Sequence, residues 1–151
     1  MTDRLHRFLF ENADVRGEVV QLDEAYAQIT RRTDHDPAVE RLIGEGLAAV
    51  ALLAATLKYP CHLTLQLQAG GPLRLLLVQA ASDGSLRAMA QAPESVPEDV
   101  PLEQQAASGT LAITIDPDTD GERYQGVVDL HGGSLGRSEE HTSELQSLSH
   151  I

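Results

Sequence analysis

One stretch, residues 62–91, restricts the possible folds more than any other part of the chain. It alternates leucines with polar residues (HLTLQLQ), breaks at residues 70–72 (GGP), continues as an almost wholly apolar run (73–78), and breaks again at residues 83–84 (DG) before a third alternating segment. Alternation with period two is typical of a strand with one buried face, and the apolar run is typical of a strand covered on both sides. Glycines are expected to supply positive φ in the first break. The stretch therefore predicts a three-stranded antiparallel meander.

A second strong pattern predicts a long helix over residues 37–58. Apolar positions recur there every three or four residues, which is the period of a helix with one buried face; they are Val39, Leu42, Ile43, Gly46, Leu47, Val50, Leu53 and Leu57. Asp36 precedes Pro37 as a suitable N-cap and first helical residue, and Pro60 prevents continuation.

Weaker patterns predict the remaining elements. They are an opening hairpin of residues 5–10 and 15–22, a short helix that Asp23 caps and that ends before Thr33, a short helix over residues 101–107, and a closing hairpin of residues 111–115 and 123–130. We therefore predict an α+β fold, in which the long helix packs on a mainly antiparallel sheet made of the opening hairpin, the meander and the closing hairpin. The strand order does not follow from these patterns.

Composition and charge exclude several classes of protein. The chain has 151 residues, of which 42% are hydrophobic, enough for one domain with a core. Its net charge is −12 and Lys58 is its one lysine, so it is not expected to bind nucleic acid or an anionic membrane. We expect a cytoplasmic protein, because no apolar run approaches the roughly 20 residues of a membrane helix and the N-terminus lacks signal-peptide features.

The last residues differ in character from the rest of the chain. From about Gly136 the sequence is dominated by Ser, Glu and His, and its segment RSEEHTSELQS resembles the translation of a sequencing-library adapter. We therefore expect residues 1–135 to form an incomplete domain and residues 136–151 to be an unrelated tail, with the natural protein continuing past the break. The alternative is a genuine polar tail that is frayed or weakly helical.

Cys61 and His62 are the first candidate for chemistry. A nucleophilic cysteine needs a base placed close to it in space and a third group that orients the base. Adjacent residues at the start of a strand point to opposite faces, so His62 is poorly placed to serve Cys61. A structural cysteine is the favoured interpretation, and a single cysteine builds neither an internal disulfide nor a cysteine-based zinc site.

The turn of Asp116, Asp118, Asp120 and Gly121 is the second candidate. It matches the front half of a calcium-binding loop. Val127 occupies the twelfth position, where such a loop needs a bidentate glutamate, and the flanking segments are predicted strands instead of helices. We interpret the segment as an acidic hairpin turn.

The histidines are the third candidate for chemistry. His6, His35, His62 and His131 show no i,i+4 pair and no H-E-x-x-H pattern. No nucleophile elbow, phosphate-binding loop or dinucleotide fingerprint is present either. We therefore predict no enzyme, no catalytic, cofactor-binding or metal-binding residues and no cofactor, but a domain that offers surface to another macromolecule. The alternatives are an enzyme that uses Cys61 or the acidic turn, and a plain oligomerisation or scaffold domain.

Three segments carry a family resemblance. They are LHRFLFENADVRGEVVQL (residues 5–22), ATLKYPCHLTLQLQAGGPLRLLL (residues 55–77) and GERYQGVVDL (residues 121–130). Together they resemble the redox-regulated heat-shock chaperones of the thirty-three-kilodalton chaperonin family, over about residues 3–135.

The resemblance implies a function for the parent protein. It implies an ATP-independent holdase that binds unfolded client proteins under oxidative stress, with an N-terminal core domain similar to this chain, a linker, a C-terminal module of four zinc-binding cysteines, and an active homodimer. This sequence contains no such module, and Cys61 has no counterpart in the four-cysteine switch. We expect the incomplete sheet to expose the apolar faces of residues 73–78 and 111–115, so that the chain is poorly soluble or oligomeric.

Overall fold

The computed structural model describes residues 3–130, which form two antiparallel sheets and three helices. The elements in chain order are β1 (Arg4–Leu9), β2 (Arg16–Gln21), α1 (Asp23–Arg31), α2 (Pro37–Thr56), β3 (Cys61–Gln68), β4 (Leu75–Ala80), β5 (Leu86–Gln91), α3 (Leu102–Gln105), β6 (Thr110–Pro117) and β7 (Tyr124–Asp129). The predicted α+β class is confirmed. The predicted domain boundary at residue 135, the tail and His131 lie outside the described residues.

The second sheet places β3 at its centre. Its strands lie in the order β5-β4-β3-β6-β7, and every neighbouring pair is antiparallel. The predicted meander forms one half of this sheet, and the closing hairpin of β6 and β7 pairs with the free edge of β3. β1 and β2 form a separate two-stranded sheet within the described residues, so the expectation that the opening hairpin shares one sheet with the meander is wrong.

The core lies between α2 and one face of the second sheet. Leu65 stands directly opposite Val78 on one side and Ile113 on the other, and all three side chains are buried. α2 approaches this layer closely because Gly46 has no side chain: a Cβ there would lie 3.1 Å from both γ-methyl groups of Val78. Close packing of this kind is the main source of helix stability in a domain.

The expectation that the strand at residues 73–78 is covered on both sides is wrong. Leu76 and Val78 are buried, whereas Leu75 and Leu77 are only partly buried. The opposite expectation, that the apolar faces of residues 73–78 and 111–115 are exposed, is wrong for the core side of both strands, which is buried. α2 covers that face, and the described residues place no second layer on the opposite one.

The two turns of the meander use glycine for different reasons. Gly84 has φ +87°, as the Asp-Gly signal predicts for a tight hairpin. The expectation of positive φ at residues 70–72 is wrong, because Gly84 is the one glycine with positive φ among the described residues. Gly71 is required instead by close approach, since a Cβ there would lie 2.7 Å from the backbone nitrogen of Ala107.

The helix ends are held by side chains that are distant in sequence. α1 is not capped by Asp23, which is its first residue; the carboxylate of Asp3 accepts hydrogen bonds from Glu24 N at 2.8 Å and Ala25 N at 3.0 Å. Asp36 occupies the N-cap position of α2 but accepts from Val96 N at 2.9 Å and not from its own helix. These contacts tie the N-terminus and the segment before α3 to the helical layer.

α2 ends at Thr56, two residues before the predicted end, because Leu57 adopts an extended conformation with ψ 143°. Across residues 3–130, neither this helix nor any other combines the length and the apolar character needed to cross a membrane.

Candidate functional site

His62, Ser82 and Asp118 meet beside the start of β3. His62 Nδ1 lies 2.8 Å from Asp118 Oδ1, and the Ser82 hydroxyl donates to Asp118 Oδ2 over 2.5 Å. In a hydrolytic triad the histidine lies between the serine and the acid and takes the serine proton. Here the carboxylate lies between the other two groups, so the arrangement joins two turns and does not activate the serine.

The electrostatics of this cluster favour ionised carboxylates. The hydrogen bond from Ser82 holds the pKa of Asp118 below its ordinary value, and the hydrogen bond and positive charge of His62 lower it further. Hydrogen bonds from the side chain and backbone of Ser85 lower the pKa of Asp83 in the same way. A general acid or base needs a pKa near the working pH. The lowered pKa values of Asp83 and Asp118 make these carboxylates poor candidates for that role. Their hydrogen bonds hold the turns together instead.

Cys61 and His62 point to opposite faces of β3. Cys61 is buried and His62 is exposed. Burial raises the pKa of the Cys61 thiol, and the nearby charge of Asp118 raises it further. A raised pKa reduces the thiolate fraction, which is the nucleophilic and metal-binding form.

The acidic turn divides its carboxylates among different partners. Asp116 pairs with Arg123 at 3.2 Å, while Asp118 contacts His62 and Ser82. Of the other histidines, His6 lies in β1 and His35 lies between α1 and α2. Among residues 3–130, no three histidine, cysteine or acidic side chains come together as a metal site would require.

Most of the exposed large apolar residues in the described part of the chain lie on the hairpin of β1 and β2. We define the hairpin patch as Phe8, Phe10, Val15 and Val19, whose exposed fractions are 43%, 57%, 53% and 55%. The two phenyl rings pack edge to face with centroids 5.7 Å apart, and the ring of Phe8 lies over Gly17 on the paired strand. Both phenylalanines of the chain are therefore on its surface.

A second apolar surface covers the side of the second sheet that faces away from α2. We define the open sheet face as Leu75, Leu77, Met89, Ala112 and Val127, with Met89 and Val127 exposed by 46% and 58%. The adjacent cross-strand row on the same face is polar and holds two hydrogen-bonded side-chain pairs, Gln79 with Thr64 at 3.0 Å and Gln125 with Thr114 at 3.1 Å. An apolar surface of this kind marks a contact with another molecule or another part of the protein.

A groove of about 860 Å³ runs between the hairpin, α1, the end of α2 and the turn after β4. Its lining includes Leu5, Val20, Ile29, Leu57, Cys61 and Leu86. Another groove of about 850 Å³ lies between the hairpin and the last turns of α2. Their largely apolar linings fit apolar side chains better than a reacting polar substrate.

The hairpin was predicted from the sequence, but its exposure was not. The signal was present in the segment FLF (residues 8–10), where three consecutive apolar residues place apolar side chains on both faces of a strand. One face alone can pack against α2, so the other remains in solvent.

Comparisons with known proteins identify what the chain is similar to. A family profile described as Hsp33 protein matches residues 3–141. The 33 kDa chaperonin of Aliivibrio salmonicida is 47% identical over 131 residues and that of Serratia proteamaculans is 44% identical over 133 residues, covering 87% and 88% of this chain. The chain spans 45% of the length of each of these two relatives. These relatives are named as chaperonins and not as enzymes.

A solved structure shares the fold. The crystal structure of the 33 kDa chaperonin from Thermotoga maritima superposes with a TM-score of 0.70 at 19% sequence identity, covering 88% of this chain and 47% of that one. At this identity the likeness shows the fold alone.

Proposed function

The chain belongs to the Hsp33 protein family, and we propose that it is the core part of a molecular chaperone that binds unfolding client proteins. In this proposal the parent protein is an ATP-independent holdase of the cytoplasm, which prevents aggregation under oxidative stress. It acts as a homodimer and has no role in binding nucleic acid or membranes.

The exposure of both phenylalanines on the hairpin patch carries this proposal. A protein stabilised by its core normally buries large aromatic side chains, whereas a holdase needs apolar area that unfolded chains can reach. The hairpin patch and the open sheet face offer such area on two separate surfaces. Among the described residues, the candidates for catalysis serve other roles: Asp118 joins two turns through His62 and Ser82, and Cys61 is buried.

The redox switch belongs, in this proposal, to a part of the parent protein that this chain does not span. Cys61 is buried and its thiol pKa is raised, so it is not a zinc ligand, and this chain needs no cofactor. Residues 1–135 are then the incomplete N-terminal core domain and residues 136–151 an unrelated tail. Reading the gene beyond the codon for Leu135 tests this: a linker with four clustered cysteines supports it, and a stop codon after Ile151 makes the tail genuine.

The function is tested by the light scattering of a thermally denaturing client protein. We expect the 151-residue chain to reduce scattering in the absence of ATP, in proportion to its concentration. The variant Cys61→Ser is the matched control and should act equally well. Undiminished scattering, or a reduction that depends on ATP or on the Cys61 thiol, would contradict the proposal.

A further inference from the structure

We propose that the outer edge of β1 binds an extended apolar segment of a client protein as an added β-strand. This inference rests on the proposed function, because it names the part of the chain that holds the unfolded client and the conformation in which the client is held. In this binding mode, backbone hydrogen bonds add to the client affinity that the apolar surfaces alone would provide.

The register of the hairpin shows which backbone groups point outward. Phe10 N donates to Val15 O over 3.0 Å, so the N–H of Phe10 points towards the opposite strand. Hydrogen-bonded and non-hydrogen-bonded pairs alternate in an antiparallel ladder. The backbone groups of Leu5, Arg7 and Leu9 therefore point away from β2.

β1 is the open strand of the two. β2 packs beside α2, whereas no described residue forms backbone hydrogen bonds with the outward side of β1. An edge with unpaired N–H and C=O groups is a ready template for another strand. An extended polypeptide satisfies these groups, which a globular surface or a small apolar ligand does not.

The side chains beside this edge fit apolar residues. A strand added to β1 would lie alongside Phe8 and Phe10, which are on the face of the hairpin directed away from Arg7. On the other face it would lie alongside Leu9, whose exposed fraction is 76%. Aromatic and β-branched neighbours on adjacent strands stabilise one another, so the preferred segment carries β-branched residues.

Charge selects between a client and a second copy of this chain. The two strands carry three arginines and one glutamate, in a chain whose net charge is −12. Pairing β1 with β1 of another copy would bring arginines against each other, which is unfavourable. The preferred occupant is therefore a client segment with neutral or acidic residues among its apolar ones.

A synthetic peptide tests the backbone contribution directly. The probe is an eight-residue peptide of alternating valine and threonine with a glutamate at each end, and its binding to the 151-residue chain is measured by fluorescence anisotropy. Two further versions carry N-methyl groups at every second residue or at the intervening residues. At least one of the two should bind about tenfold more weakly, because several backbone hydrogen bonds are lost. Equal binding of all three peptides would overturn the proposal.

A variant of the chain tests the same edge from the other side. In Leu9→Pro the outward N–H is removed while the bonds between β1 and β2 remain, since proline is tolerated at such an edge position. We expect about tenfold weaker peptide binding. Leu9→Ala keeps the N–H and loses only the apolar side-chain contact, so it should weaken binding clearly less than Leu9→Pro does. Equal binding by both variants would count against the edge; if the proline variant fails to fold, the N-methylated peptides decide the question.

The remaining outcomes separate this inference from the proposed function. A chain that suppresses aggregation but does not bind the peptide refutes strand addition and leaves the chaperone function intact, and a chain that does neither refutes both. Replacing the glutamates of the peptide by lysines should weaken binding at low salt, and stronger binding would refute the charge argument. If Leu9→Pro converts an oligomer to a monomer and the peptide does not bind, a second copy occupies the edge and the proposal fails.

Discussion

The guanidinium of Arg7 donates a hydrogen bond to the carbonyl oxygen of Ala55, 2.5 Å away in the last turn of α2. The same side chain donates to Glu18 Oε1 at 3.1 Å. It thus satisfies one of the carbonyl groups that every helix end leaves unpaired, and its positive charge opposes the negative end of the helix dipole. This contact joins the hairpin to the helix that organises the core.

Replacing this arginine should loosen the hairpin. We expect Arg7→Met to lower the free energy of unfolding by roughly 0.5–1 kcal/mol, because an exposed ion pair and a helix-end contact are both modest. Amide hydrogen exchange in residues 4–21 should accelerate more than exchange in β3. Arg16→Met in the same hairpin is the control and should change neither quantity appreciably. Equal effects of the two substitutions would show that Arg7 has no special role.

The turn after β3 should tolerate a methyl group at one glycine and not at its neighbour. A Cβ at Gly71 would lie 2.7 Å from Ala107 N, whereas one at Gly70 would meet Ala107 O at an ordinary 3.6 Å. Since the clash at Gly71 involves backbone, we expect Gly71→Ala to destabilise by about 1–3 kcal/mol and Gly70→Ala by less than about 0.5 kcal/mol. Urea unfolding of both variants measures the difference, and a reversed order would contradict the predicted backbone clash.

The Asp118 cluster should make stability depend on pH in the acid range. Because the folded pKa of Asp118 is below its ordinary value, its contribution is present above about pH 4 and is lost as the pH falls through the folded value. The melting temperature of the unaltered chain should therefore exceed that of Asp118→Asn at pH 6, and the gap should narrow towards pH 3. Asp120→Asn is a control from the same turn and should not show this pH-dependent gap. A gap that widens on acidification would reverse the assigned sign.

The buried thiol should react slowly. Burial raises the pKa of Cys61 and limits access to it, so the rate of its reaction with a disulfide reagent at pH 8 should be at least about tenfold lower in the folded chain than in urea. The unfolded chain supplies the comparison. Equal rates would mean that the start of β3 opens readily.

Self-association should involve the open sheet face. We expect the chain to form oligomers at moderate concentration, and Val127→Lys to shift it towards the monomer because a charge is costly to bury. Ser95→Lys adds the same charge at an exposed position elsewhere and should leave the mass distribution unchanged. Multi-angle light scattering after size exclusion gives the masses. A monomer with a sharp, reversible melt would argue against this expectation.

Local patterns predicted the elements well because their physical causes are local. The alternation of leucines in β3 matches the buried side chains at Leu63, Leu65 and Leu67, since side chains in a strand point alternately to its two faces. Asp-Gly predicted the turn after β4 for an equally local reason, since glycine readily adopts the positive φ that this turn needs. The cover of β4 could not be predicted in this way, because an apolar run does not reveal how many layers the fold provides.

Long-range relationships were not predictable from one sequence. The position of β6 beside β3 depends on which edge the meander leaves free, and no periodicity encodes that choice. Which face of the hairpin turns towards α2 likewise depends on a contact distant in sequence, that of Arg7 with Ala55 O. The cluster of His62, Ser82 and Asp118 joins residues up to 56 positions apart, so no spacing rule could have found it.

The carboxylate of Asp3 gives the first residues of the chain an importance that their location would not suggest. Shortened versions of the molecule that begin after this position would leave the first turn of α1 bare and release one attachment of the hairpin. Fusion tags and trimming sites should therefore be placed so that this side chain can still reach Glu24 N and Ala25 N.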